Sequence, residues 1–369
     1  MSAVSPTAWW QAGDRMPAAD FRDVAELERI ATARWSSGLR SFIQGGAGNG
    51  DGVRANRLAH ARWSLRARVL VDVSSIDTST TVLGIPVGLP VMIAPSGLHT
   101  LVLPEGEVAT AQGARDANTV MVLSSGTGRS IEDVTAVGGN VWFQLYWGSD
   151  RTQARRLIDL AGEHGCRALC LTADMPVPPL TGPQLRDGVA SISHARPQYL
   201  PPRGEYALTG VWDHDQRLSW RDLAWLRDAT DLPIVIKGIM TVEDALIAAD
   251  SGIDAIIVSN HGGRALDTPV GTMDVLPSIA AALDQVNADT EVYVDGGFRH
   301  GSEVLTALAL GARGVLIGRP ALWALAVGGA RGVTSLLELI GHELASVMAR
   351  VGSTSVAGID ATRVAAVTR

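Results

Sequence analysis

The chain has 369 residues, 31 lysines and arginines against 38 aspartates and glutamates, and a formal net charge of −7. The charges are interspersed, no basic tract is present and no apolar run reaches the length of a membrane span. Neither nucleic acid nor a membrane is therefore expected as a partner. The two cysteines, Cys166 and Cys170, form no disulfide framework and do not match zinc-ligand spacing, so buried thiols and no metal are expected. Residues 1–16 contain Trp9-Trp10 but no apolar core of signal-peptide type, which points to the cytoplasm.

Residues 1–90 read as an N-terminal extension. They carry a helical stretch, Val24–Phe42, then a basic, β-prone run, Arg62–Val73. The extension is expected to cap the floor of the following domain and to contribute to its site. Apolar runs then recur at Val91–Ala94, Val120–Leu123, Val141–Leu145, Ala168–Thr172, Ile234–Lys237, Ala255–Ser259, Glu291–Asp295 and Val315–Ile317. Helical periodicity fills most of the gaps, over Glu105–Ala117, Ile131–Ala136, Thr152–His164, Arg221–Asp228, Val242–Ser251, Val275–Val286 and Ser302–Leu310. Strands alternating with helices mean βα units and a parallel sheet, and eight of them predict a single α/β domain, a (β/α)8 TIM barrel spanning 1–369. Residues 176–220 are too long for an ordinary βα connection and hold Pro178-Pro179, Pro183, Pro197, Pro201-Pro202, Tyr199, Tyr206, Trp212 and Trp220. They predict a lid-like insertion after the fourth strand.

The most informative motif is Ser259-Asn260-His261-Gly262-Gly263-Arg264, directly after the apolar run Ala255-Ile256-Ile257-Val258. A buried parallel strand that opens into a polar, glycine-bearing loop is where such folds build sites. His261 and Arg264 put a titratable base and a fixed cation in one loop, which suits a substrate that loses a proton while its anionic group is held. Downstream, Tyr293-Val294-Asp295-Gly296-Gly297-Phe298-Arg299 and Gly311 to Pro320 again run from strand into glycine and arginine. Each segment alone is equally an ordinary turn. Two in succession favour phosphate, through close backbone approach at glycine and bidentate arginine contacts.

With these motifs in this order the chain resembles the FMN-dependent 2-hydroxy acid oxidase and dehydrogenase family. That family includes glycolate oxidase, lactate oxidase, mandelate dehydrogenase and hydroxymandelate oxidase. The resemblance runs from Phe21 to Val356. It implies FMN as cofactor, and no G-x-G-x-x-G follows an N-terminal strand to suggest FAD. Matched residue by residue, it implies that Ala94, Pro95 and Ser96 lie against the flavin ring and that Ser124, Gln144 and Thr172 bond its edge. Lys237 would stabilise the reduced ring from near N1 and O2, with Ser259 nearby. Asp295, Gly297, Arg299, Gly318 and Arg319 would hold the ribityl chain and phosphate. His261 resembles the catalytic base, Asp174 its partner, Tyr146 the donor to the substrate oxygen and Arg264 the carboxylate clamp. His261 would take either the carbon proton or the hydroxyl proton. A homo-oligomer, tetrameric by resemblance, is also implied, with oxygen or another carrier as electron acceptor.

Three departures bear on the substrate. Phe42 stands where the family usually has a carboxylate-binding tyrosine. Val177-Pro178-Pro179-Leu180-Thr181-Gly182 replaces a segment with a paired arginine, and Arg186 and Arg203 are candidates to replace that cation. Gly97 and Gly126 replace larger residues. Together these predict a bulky substrate, an aryl 2-hydroxy acid such as a mandelate, or an ester, amide or tethered derivative. Alternatives are a dehydrogenase with a quinone-type acceptor, a flavin barrel doing no redox work, such as an isomerase, and a catalytically silent homologue.

Overall fold

The computed structural model describes residues 21–177, 182, 187, 197–199 and 215–367. The chain enters through helices α1 (Val24–Arg34), α2 (Ser37–Gln44) and α3 (Asp51–His60). The predicted helix over Val24–Phe42 is thus two helices. Trp35 leaves the helical region at ψ 146°, and Ser36 then caps α2 by accepting from the Leu39 amide at 3.2 Å. A short strand β1 (Trp63–Leu65) is the only strand in the predicted run Arg62–Val73. The remainder of that run is solvent-facing chain, because little apolar surface covers it. A hairpin follows, β2 (Thr80–Val82) and β3 (Ile85–Val87).

The repeating units come next: β4 (Val91–Ile93), α4 (Gly106–Asp116), β5 (Val120–Ser124), α5 (Ile131–Thr135), β6 (Asn140–Leu145), α6 (Arg151–Glu163) and β7 (Leu169–Thr172). After the insertion come α7 (Leu223–Ala229), β8 (Ile234–Ile239), α8 (Val242–Asp250), β9 (Ala255–Val258), α9 (Thr272–Gln285), β10 (Glu291–Val294), α10 (Gly301–Ala309), β11 (Gly314–Ile317) and α11 (Arg319–Val351). Strands β4 to β11 close into a parallel barrel, with β11 pairing back onto β4. The eight predicted strands are these eight. The chain ends in β12 (Val364–Ala366), antiparallel to β1.

Strand alternation divides the core. Met92, Val122, Trp142, Cys170, Val235, Ile257, Tyr293 and Leu316 fill the barrel, while Val91, Ile93, Met121, Leu123, Val141 and Phe143 meet the helices outside. Both cysteines are free and buried, and burial pushes each thiol up to about 12, so they serve packing. Val82, Ile85 and Val87 of the hairpin join the interior cluster, so this part of the extension seals the floor. Helices α2 and α3 pack at the opposite end from the hairpin, against the loops after β9 and β10. Helix α11 has no counterpart among the predicted helices. It is apolar and long enough to cross a membrane, yet its most apolar window is half buried here, and it kinks at Gly328-Gly329. Arg34 donates to the carbonyls of Ala326 (3.0 Å) and Val327 (3.3 Å) beside the kink. Most of the predicted lid, including Tyr206, Trp212, Thr181, Arg186 and Arg203, lies outside the described residues.

Candidate active site

The site is assembled where the barrel strands end. Past β9, His261, Gly262 and Gly263 take φ of 59°, 63° and 79°, three successive left-handed residues, one with a Cβ. This turn points the His261 ring across the barrel mouth. Its Nδ1 lies 3.0 Å from Asp174 Oδ1, past the end of β7, and its Nε2 lies 3.3 Å from the Tyr146 hydroxyl, past the end of β6. Facing a carboxylate, Nδ1 carries the hydrogen, which leaves Nε2 as the nitrogen turned to the reaction side. Burial would raise the Asp174 carboxyl, but the charges of His261 and Lys237 outweigh it and hold Asp174 below the usual carboxylate range. Burial raises the Tyr146 phenol, so it stays a neutral donor.

Lys237 on β8 is 3% exposed. It donates to Ser259 Oγ at 2.8 Å and lies 3.2 Å from Asp295 Oδ2. Burial alone would lower its pKa, but Asp295 and Asp174 more than offset this and hold the ammonium above the usual lysine range. Ser259 Oγ also accepts from the His261 amide at 3.1 Å, so one hydroxyl joins the buried cation to the base turn.

Around this centre lie the remaining predicted residues. Ala94, Pro95, Ser96 and Gly97 follow β4, and the Ala94 amide is tied to Ile317 O at 2.9 Å. Ser124 donates to Gln144 Oε1 at 2.9 Å, which leaves the buried Gln144 Nε2 without a partner among the described residues. Asp295 Oδ1 is likewise buried and unpaired, and Thr172 sits in register with Lys237. Gly296 and Gly297, at φ 104° and 85°, present bare backbone, and a Cβ on Gly318 would lie 3.6 Å from Ser96 Oγ.

Three arginines converge with no carboxylate ion pair among the described residues. Burial pushes Arg319 down to about 9, helped by repulsion from Arg264 and Arg299, and pushes Arg264 and Arg299 to about 10. All three stay charged at neutral pH. Arg319 donates to Ile43 O (2.9 Å), Gly45 O (2.9 Å) and Gly262 O (3.0 Å), while Arg264 donates to Phe42 O (2.6 Å) and Gly45 O (3.1 Å). The carbonyls of Phe42, Ile43 and Gly45 are the unpaired end of α2, the negative pole of that helix, while Gly262 O belongs to the His261 turn. They spread the charge without neutralising it. The Phe42 ring covers the Arg264 guanidinium at 5.3 Å, a cation–π contact. Arg299 lies 4.7 Å over the Trp323 ring.

This donor set fits FMN. The uncompensated arginines match a phosphate, and the unpaired Gln144 amide and Lys237 match the polar edge of a flavin.

Sequence reasoning missed α3, which the site uses heavily. Asn56 exchanges a reciprocal pair of bonds with Asn260, His60 Nε2 lies 3.0 Å from Gly296 O, and Arg57 bonds Gly297 O and Glu303. The spacing of Asn56 and His60, one helical turn apart, was the available signal. Glu107, fully buried, accepts from the His99 and Gly128 amides and ties together the loops after β4 and β5. A Cβ on Gly97 would lie 3.2 Å from Gly126 O, so the loops after β4 and β5 approach closely at this point.

Residues 31–366 match the FMN-dependent dehydrogenase family. The chain is 40% identical to an L-lactate oxidase of Nostoc sp., over 91% of this chain and 95% of that protein. It is 39% identical to a 4-hydroxymandelate oxidase of Amycolatopsis orientalis, over 91% and 96%. Among solved structures, a mandelate oxidase variant with 2-hydroxy-phenylacetamide superposes with a TM-score of 0.83 at 38% identity, covering 95% of this chain and all of that one. The (β/α)8 barrel, the buried arginine cluster and these matches over nearly the whole chain make it a member of the FMN-dependent dehydrogenase family, an FMN-dependent 2-hydroxy acid oxidoreductase.

Proposed function

We propose that the enzyme oxidises a bulky 2-hydroxy acid, a mandelate or a neutral ester or amide of one, to the 2-oxo product with oxygen as acceptor. The observation that carries this is the His261 turn. One imidazole is oriented by an anionic Asp174 at 3.0 Å, with Nε2 turned to the Tyr146 hydroxyl and Arg264 three residues on. Bound FMN supplies the two-electron acceptance. His261 Nε2 takes a proton from the substrate, and Asp174 stabilises the imidazolium that results. The Tyr146 hydroxyl holds the substrate oxygen, and Arg264 orients the carboxylate or carbonyl through its planar fork. Lys237 keeps a fixed positive charge at the flavin edge, and Arg299 and Arg319 hold the phosphate.

Two features support a large substrate. Phe42 offers a ring and no hydroxyl at Arg264, so small carboxylates lose a charge-assisted bond of about 1.5–3 kcal/mol. Gly126, in the loop after β5, lacks a side chain that would narrow the cavity. Of the relatives, the 4-hydroxymandelate oxidase and the mandelate oxidase with an aryl amide fit a large substrate, whereas the L-lactate oxidase acts on a small one.

The test is an anaerobic flavin-reduction screen over glycolate, lactate, mandelate and mandelate esters and amides, followed by exposure to oxygen. Aryl compounds are expected to bleach the flavin fastest, with rapid reoxidation and peroxide release. Glycolate or lactate as best substrate overturns the size assignment. Absence of bleaching by every compound overturns the redox reading, and slow reoxidation overturns oxygen as acceptor.

A further inference from the structure

The base turn is held by a residue far from the reaction centre in sequence. Asn56 on α3 and Asn260 beside His261 are 2% and 4% exposed. Their amides exchange two bonds, Asn56 Nδ2 to Asn260 Oδ1 and Asn260 Nδ2 to Asn56 Oδ1, both 2.8 Å. Backbone groups fix which way each amide faces. Asn260 Nδ2 also donates to Val270 O (3.0 Å), Asn260 Oδ1 accepts from the Gly263 amide (3.0 Å), and Asn56 Oδ1 accepts from the Thr272 amide (3.2 Å). The Asn260 side chain thereby uses both donors and both lone pairs.

The contact bears on the turn at both ends. Asn260 receives Gly263 N on its side-chain oxygen and on its backbone oxygen, each at 3.0 Å, which closes the loop over His261 and Gly262. One turn earlier on α3, the Gly52-Val53 backbone packs so closely on Gly263 that a Cβ there would overlap it. Gly52 and Asn56 lie on one face of α3, and that face presses on the turn twice. A non-glycine residue stays left-handed only where its surroundings over-determine it. At His261 those surroundings are the Asn260 network, the Ser259 hydroxyl and α3. A buried amide pair adds direction that an apolar pair of the same size lacks.

We propose that Asn56 is a positioning residue of this enzyme: acting through Asn260, it holds the left-handed turn that aims His261 at Asp174 and at the substrate. This rests on the reading of His261 as base. The N-terminal extension is then part of the catalytic apparatus and sets the accuracy of proton removal.

The test compares wild-type holoenzyme with Asn56→Ala, Asn260→Ala and the double variant, with Asn56→Asp as an isosteric alternative that places an oxygen against Asn260 Oδ1. FMN content and Tm are measured first, then the rate constant of anaerobic flavin reduction at saturating substrate. Crystal structures give the φ of His261 and its distance to Asp174. The single variants are expected to keep FMN, with reduction slowed roughly 10- to 100-fold, the range a misplacement of about 1 Å produces. The double variant should be no slower than the slower single one, and His261 should leave the left-handed region or lose Asp174. Wild-type reduction rates, losses that follow FMN loss, multiplicative effects or an unaltered turn would each overturn the proposal. If wild-type protein is reduced by no substrate, the base assignment fails, and the crystal structures still decide whether Asn56 holds the turn.

Discussion

At His261 a strained backbone and an oriented ring coincide. Removing the ring leaves the buried arginines and Lys237 intact, so His261→Ala should bind FMN normally. Its flavin reduction should slow by about 10²–10⁴-fold, the usual worth of a general base; near-normal anaerobic reduction would rule the residue out. Asp174 adds a pH signature. Its carboxyl is held below the ordinary range by His261 and Lys237 against the burial penalty. A depressed carboxyl contributes stability that is complete above its unfolded value, about 3.9, and that disappears as pH falls through the folded value. The Tm difference between wild type and Asp174→Asn should therefore be constant near neutrality and shrink below about pH 4. A difference that grew in acid would contradict the pairing. For the arginine cluster, Arg319→Gln should weaken FMN by about 10- to 100-fold, one charge-assisted bond; the apoprotein also loses the donor to the Ile43, Gly45 and Gly262 carbonyls, against relief of the Arg319 charge. That charge is repelled by Arg264 and Arg299. Equal FMN affinity by titration would place the phosphate elsewhere.

Among the elements, the loops after β4 and β5 lie together, and on the proposed reading they bound the room for the substrate. Gly97 abuts the Gly126 backbone, and Glu107 ties both loops down. On the proposed reading, position 126 is the place on this wall where substrate size is tested. Gly126→Trp should shift preference towards small acids, since an aromatic substrate then forfeits burial on the order of 25 cal/mol per Å². The ratio of kcat/KM for mandelate to that for lactate should fall by about tenfold or more, each 1.4 kcal/mol being a factor of ten. An unchanged ratio would move the size filter to the insertion after β7.

Across the whole molecule, the extension does two separate jobs, a hairpin plug at the floor and helices at the site. Between them, Val69, Leu70 and Val71 are exposed, and Leu70 is fully so at φ 57°, a left-handed leucine with no packing to explain it. Such an apolar segment, anchored at both ends by β1 and by the Asp77 amide on Thr354 O, is suited to contact a second copy. Light scattering is expected to give a homo-oligomer, and Leu70→Asp to shift it to smaller species with FMN retained. A wild-type monomer would refute this.

What the sequence by itself determined is local. The eight strands were legible because each is a short β-branched run with a glycine-bearing end, and the period of strand and helix names the barrel. His261, Arg264, Asp295 and Arg319 were legible as candidates because each follows a predicted strand, whereas Lys237 was picked out only through the family resemblance. The break at Trp35-Ser36 and the kink at Gly328-Gly329 needed the three-dimensional context, since local helical periodicity continues through both. Helix α3 was opaque for a related reason. Its polar residues Asn56, Arg57 and His60 resemble a solvated face until the loops after β9 and β10, more than 200 residues away in sequence, close over them. Tertiary structure alone decides such cases, because the partner that gives each residue its meaning is brought there by closure of the barrel.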